Sequence, residues 1–164
     1  MMKSILFVIS VWMLAPITNI FAESGLEARN IILLRHAETE PDGSRDPVLS
    51  VLGEERARHL AHMLEKMNIE HILTSYLLRT RLTATPLALQ KGLEINIRTM
   101  PEEVVSEIRQ TGGHVVIVGH SNTVPEIIRL LGGPEFEISH DDYSGLYLLT
   151  IRGDEFISMI RLVY

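Results

Sequence analysis

The chain has 164 residues, 46% hydrophobic and 22% charged, with no cysteine and a formal net charge of −6. Its length suits one domain around a single core, and its composition is that of a globular protein rather than a disordered one. The missing cysteines exclude disulfides, thiolate metal sites and a thiol nucleophile, and the acidic balance argues against nucleic acid as a partner.

In chain order, the first 22 residues stand apart. Lys3 precedes an apolar stretch, Ile5–Ala15, and small residues follow at Ala22 and Ser24. This is a secretory signal pattern whose apolar core is too short for a comfortable membrane span. The expectation is a signal peptide over 1–22, one domain over 23–164, and an exported product, periplasmic or secreted. Cleavage after Ala22 or after Ser24 fits, and no stable membrane insertion is expected once it has occurred.

The domain opens on a strand at Asn30–Leu34 that breaks into Arg35-His36-Ala37-Glu38. Glu40–Ser50, with Pro41, Asp42-Gly43 and Asp46-Pro47, is loop chemistry. Ala57, Leu60, Ala61, Leu64 and Met67 recur at helical spacing and predict an amphipathic helix over Gly53–Met67. A short strand at His71–Thr74 and a helix at Leu78–Lys91 follow. Pro86 removes a backbone donor, so it is expected to kink that helix or begin a new segment. Glu94–Arg98 alternates like a strand, Glu102–Gln110 reads as a short helix, and the strand His114–Val118 breaks into Gly119-His120-Ser121-Asn122-Thr123. Thr123 is the expected cap of a further helix, which Gly132-Gly133-Pro134 stops. Two closing strands, Gly145–Ile151 and Phe156–Leu162, flank a turn at Gly153-Asp154. This alternation predicts a layered α/β sandwich.

Two histidines therefore stand at the ends of two apolar strands, one of them preceded by an arginine. Ligands in open α/β sheets collect outside the carboxyl ends of the strands. His36 and His120 thus point at one shared pocket, and phosphate chemistry is its natural use.

Several motifs carry a family resemblance. Arg35-His36-Ala37-Glu38 resembles the Arg-His-Gly signature of the histidine phosphatase superfamily, also called phosphoglycerate-mutase-like. Leu49-Ser50, Gly53 and Arg56-Ala57 resemble the start of that family's first helix. Ser75, Arg79, Thr83 and Ala84 match its Ser-x-x-x-Arg-x-x-x-Thr-Ala pattern, and Gly119-His120-Ser121 matches its second-histidine motif. These span Ile31 to Gly133 in the family's order. Ala37 stands where glycine is common, and Leu82 where a polar residue is frequent.

The resemblance implies a three-layer α/β/α sandwich around a mostly parallel sheet, without the large cap insertion of the mutases. It implies that His36 is the nucleophile of a phosphomonoester hydrolase, that Arg35 and Arg79 hold the phosphoryl oxygens, and that His120 stabilises the transferred group. The chemistry agrees. A histidine titrating near pH 6.5 presents a neutral ring nitrogen at physiological pH, and guanidinium forks bind phosphoryl oxygens two at a time. For the general acid the family points to a glutamate after the third strand. Glu102 is the choice there, with Glu103 beside it and Glu38 as the rival. A leaving group that needs little protonation would dispense with one. The expected ligand is a phosphorylated small molecule or a phosphorylated sugar of an envelope glycan. Phosphohistidine-protein phosphatase, phosphoglycerate-type mutase and non-catalytic binder of phosphorylated ligands are the alternatives. His59 and His62 lie three apart but without His-x-His or His-Glu-x-x-His spacing, and no glycine-rich nucleotide loop follows a strand, so neither metal nor cofactor is expected.

Overall fold

The computed structural model describes residues 27–164; the expected signal peptide lies outside them. Strand β1 (Ala28–Arg35) is the centre of the fold. Its side chains alternate between two apolar layers, Ile31 and Leu33 on one face, Ile32 and Leu34 on the other, all fully buried. A strand buried on both faces reads as a continuous apolar run, which is why Ile31–Leu34 shows no polar alternation.

The remaining elements follow in order: α1 (Val51–Met63), β2 (Ile69–Thr74), α2 (Leu78–Lys91), β3 (Ile95–Ile97), α3 (Pro101–Gln110), β4 (His114–Gly119), α4 (Thr123–Leu130), β5 (Gly145–Arg152) and β6 (Glu155–Val163). They build one sheet of order β3-β2-β4-β1-β5-β6. The first four strands in that order run parallel, β5 pairs antiparallel with β1, and β6 pairs antiparallel with β5. Helices α1 and α2 cover one face through Leu60, Ala61, Ala84 and Leu87, against Ile32, Ile72 and Val116. Helices α3 and α4 cover the other through Val104, Ile108, Val124 and Ile128, against Ile31, Leu33, Val115 and Ile117. This is the expected three-layer, mostly parallel α/β sandwich. Only α3 and its short loops separate β3 from β4, so no large insertion stands there.

Local differences have local causes. Helix α1 starts earlier than its apolar spacing indicates, because Ser50 caps it by accepting from the Gly53 N–H at 3.1 Å. It also ends earlier: Leu64 to Met67 turn away, and Lys91 Nζ donates to the Glu65 and Met67 carbonyls at 2.7 Å each. Pro86 does not begin a new segment. Helix α2 runs through it as one span, held by buried Ala84, Leu87 and Ala88. Thr123 is the first residue of α4 rather than its cap. Its hydroxyl accepts from the His120 N–H at 2.9 Å, while Asn122 holds the cap position without a side-chain bond. Among the described residues no helix is long and apolar enough to cross a membrane.

Candidate active site

Strand pairing brings the two motifs together. Arg35 lies opposite Gly119 in the parallel β1–β4 ladder, and His36 extends that ladder by one bond, donating its N–H to the Gly119 carbonyl at 2.9 Å. The two rings then lie 5.4 Å apart between centroids, inclined at 64°. Gly119 is needed for this approach. A Cβ there would sit 2.9 Å from Thr123 Oγ1 and 3.1 Å from Val124 Cγ2, forcing α4 away from the strand end.

His36 is buried, and its Nδ1 lies 2.8 Å from the Ala37 carbonyl. A carbonyl only accepts, so Nδ1 carries the hydrogen and Nε2 is left with its lone pair. Burial pushes the His36 pKa down to about 4, with Arg35, His120 and Arg79 adding to the depression while the Ala37 carbonyl opposes it. Ala37 is fully buried against Leu49 and Ala57, with Leu82 packed on the same cluster, so a small residue at 37 answers a packing demand. Its N–H donates to Thr83 Oγ1 at 2.9 Å, tying the loop after β1 to α2.

His120 is fixed from behind. Its Nε2 lies 3.1 Å from Ser75 Oγ, which in turn lies 2.9 Å from Thr80 Oγ1. Burial, then Arg79 and Arg35, depress its pKa to about 4, against a smaller opposing effect of Asp46. Both rings are therefore neutral at pH 7.

Arg35 is only 7% exposed. Its Nη1 donates to three backbone carbonyls of one loop: Ser139 at 3.2 Å, His140 at 2.7 Å and Asp142 at 3.2 Å. Its guanidinium carbon lies 3.9 Å above the Tyr143 ring, and its Nε is buried without a partner. Among the described residues no carboxylate pairs with it. A buried guanidinium without a carboxylate is costly unless an anion completes it, and its hydrogen bonds all come from Nη1, which leaves the Nε–Nη2 edge without a protein acceptor. Arg79 comes from the first turn of α2 and is held by Asp46, Nη1 to Oδ1 at 3.3 Å. The Asp46 carboxylate also accepts from the Leu78 N–H at 2.8 and 3.0 Å, supplying the cap that Leu77 cannot give.

The four expected binding and catalytic residues His36, His120, Arg35 and Arg79 thus meet. The two carboxylates do not join them. Glu38 is gripped by Arg56, with contacts of 2.7 to 3.0 Å from Nε and Nη2. Burial pushes its pKa up, but Arg56 outweighs that, and the net shift is downward. Glu102 is exposed on the first turn of α3, in a surface cleft with Ile97, Arg98, Glu103, Ser106 and Glu107, and no hydrogen bond or ion pair links it to either histidine. Asp46 lies in the Arg45–Ser50 loop, which the sequence offers as a candidate for substrate contact and more readily as an ordered surface loop; Tyr143 was missed, its only signal being an aromatic residue in a polar loop ahead of β5. Among the described residues, no three histidines, aspartates or glutamates converge on a point that could hold a metal ion.

Fold and site define an α/β protein with a histidine pair and a buried, anion-seeking arginine at the carboxyl end of a largely parallel sheet. The sequence model of the histidine phosphatase superfamily, branch 1, matches residues 31–104 of this chain, which contain Arg35, His36 and Arg79. Phosphoserine phosphatase 1 of Hydrogenobacter thermophilus is 41% identical over 71 residues, covering 40% of this chain and 34% of that protein. A Serratia proteamaculans protein named as a phosphoglycerate mutase, GpmB, is 39% identical over 71 residues, covering 40% and 33%. The chain thus aligns with about a third of the length of these curated relatives. Among solved structures, the protein histidine phosphatase SixA complexed with tungstate superposes with a TM-score of 0.67 at 18% identity, over 80% of this chain and 96% of that one. A mycobacterial glucosyl-3-phosphoglycerate phosphatase gives 0.63 at 19% identity, over 84% and 99%. At such identities the likeness is one of fold.

Proposed function

We propose that this domain is a phosphatase that hydrolyses a phosphomonoester through a phosphohistidine on His36. The observation that carries the reading is Arg35: a buried guanidinium with no carboxylate partner and a free Nε edge, beside an imidazole whose hydrogen is held on Nδ1 by Ala37. Such a pair offers a lone pair and an oxyanion clamp to the same group. His36 Nε2 attacks phosphorus while Arg35 and Arg79 hold the equatorial oxygens, where charge spreads in phosphoryl transfer. His120, fixed by Ser75, stabilises the same oxygens, and water then cleaves the phosphoramidate. Splitting the displacement in two is the usual gain of covalent catalysis.

Two features support a substrate larger than a free metabolite. The short connection from β3 to β4 leaves the site without a cap, and residues 1–22 have the pattern of an export signal. A phosphorylated sugar of an envelope glycan fits both. The test is release of orthophosphate from p-nitrophenyl phosphate, sugar phosphates, phosphoproteins and glycan fragments. His36→Ala is expected to lower turnover by a factor on the order of 10³ or more and to abolish an acid-labile phosphoenzyme. Turnover by His36→Ala at the parent rate would refute the nucleophile. An inert parent protein that still binds phosphorylated ligands would make the domain a binder.

A further inference from the structure

An alkoxide leaving a phosphate ester needs a proton, and neither glutamate expected for the role is hydrogen-bonded or ion-paired to His36 or His120. Glu38 is engaged by Arg56 through both oxygens, and Glu102 is exposed in a cleft with Arg98, Glu103 and Ser106 that neither histidine lines. Among the described residues, Tyr143 is the phenolic or carboxylic side chain that contacts both reacting neighbours. Its ring face lies 3.9 Å from the Arg35 guanidinium carbon, and its ring centre lies 5.9 Å from that of His36, inclined at 62°. The residue is half-buried.

Tyr143 is also held on both sides, as a precise proton donor has to be. Before it, the Ser139, His140 and Asp142 carbonyls are all bound to Arg35 Nη1. The Asp142 carboxylate accepts from Arg161 Nη2 at 2.8 Å and from the Ser144 N–H and Oγ at 2.9 Å each. After it, the Ser144 carbonyl accepts from the Tyr164 N–H at 3.1 Å. The loop from Ser139 to Ser144 therefore orients the guanidinium and the phenol as one unit. Simple packing would not require a hydroxyl at this position, since a phenylalanine ring would cover Arg35 equally well.

We propose that the Tyr143 hydroxyl is the general acid of the first step, an assignment that rests on the phosphatase reading above. As His36 Nε2 bonds to phosphorus, the P–O bond to the leaving group breaks and its electron pair goes to oxygen, which takes the phenolic proton. The phenolate formed lies against the Arg35 cation. In the second step water attacks the phosphohistidine, its proton returns to the phenolate, and the N–P electron pair returns to Nε2 with release of orthophosphate. A phenol both donates and accepts, so it can serve in each direction.

Aryl and alkyl phosphates of rising leaving-group basicity, from p-nitrophenyl through phenyl to alkyl, separate this role from packing, because p-nitrophenolate leaves without a proton. With kcat/KM read for each, Tyr143→Phe is expected to change the ratio of p-nitrophenyl to phenyl and alkyl phosphates by on the order of 10² in favour of p-nitrophenyl phosphate. A plot of log kcat/KM against leaving-group basicity parallel to that of the parent would overturn the assignment, whether or not the variant is slower throughout. A parent protein that turns over none of these esters and forms no phosphoenzyme would overturn the phosphatase reading itself. A parent active on all of them, with parallel plots, removes only Tyr143.

Discussion

The charge of Arg35 is the sharpest constraint at the scale of single residues. Carbonyls at 2.7 to 3.2 Å satisfy one of its nitrogens, but they cannot neutralise a buried cation. Arg35→Lys would keep the charge and lose the planar fork, so it is expected to cost nearly as much kcat/KM as Arg35→Ala, on the order of 10²-fold or more. Comparable rates for Arg35→Lys and the parent would show that only the charge matters. Glu38 belongs to a different economy. Its pairing with Arg56, both side chains 17% exposed, makes it a structural anion. Glu38→Gln should lower unfolding free energy by about 1–3 kcal/mol in denaturant titrations, while leaving the acidic limb of the pH–rate profile unmoved. On the proposed mechanism that limb belongs to His36, whose neutral form attacks, so activity should hold from pH 7 down and fall only near its depressed pKa of about 4. The four residues of the cluster were legible because each sits within a contiguous motif at a strand or helix end. Tyr143 and the Glu38–Arg56 pairing were not, since the partners of each lie far off in the chain and become neighbours only when loops close over the sheet.

Elements show the same division. Apolar periodicity located every helix and strand to within a few residues, because burial against the sheet imposes that periodicity. It misjudged ends and interruptions, which answer to capping and to contacts across the chain. Pro86 costs α2 a backbone bond, yet the span is continuous because its neighbours are buried. Helix α1 begins where Ser50 can cap it, and Gly53 then lies against the backbone of Glu38, where any Cβ would overlap the Glu38 carbonyl. Gly53→Ala is therefore expected to destabilise by several kcal/mol or to yield insoluble protein, an exceptional cost for so small a change; a melting temperature like that of the parent would mean that α1 can slide freely past the loop. At the start of α2, Asp46 performs two tasks that substitutions can separate. Asp46→Asn keeps an oxygen for the Leu78 N–H and weakens the hold on Arg79, so KM should rise with little change in melting temperature. Asp46→Ala should lose both, with a stability cost of about 1 kcal/mol for the missing cap.

For the whole molecule, the site is a weakness built into a strong frame. The two apolar layers meet at β1 and β4, and it is the ends of those same strands that carry two neutral imidazoles beside two cations. Unfolding frees both histidines to titrate near the ordinary 6.5, whereas in the fold each is depressed to about 4. Between these values the unfolded chain binds more protons than the native one, so stability rises with pH across that window and is lost as pH falls from 6.5 toward 4. An oxyanion in the pocket should reverse part of this, because phosphate supplies the negative charge that both rings and both guanidiniums lack. Orthophosphate at about 100 times its dissociation constant would add about 2.7 kcal/mol by mass action. Melting curves of the parent and of Arg35→Ala at neutral pH, with and without orthophosphate, read this directly. The parent should melt higher with phosphate, and the variant should lose the increment. A phosphate-induced rise that survives in Arg35→Ala would mean that the anion binds elsewhere.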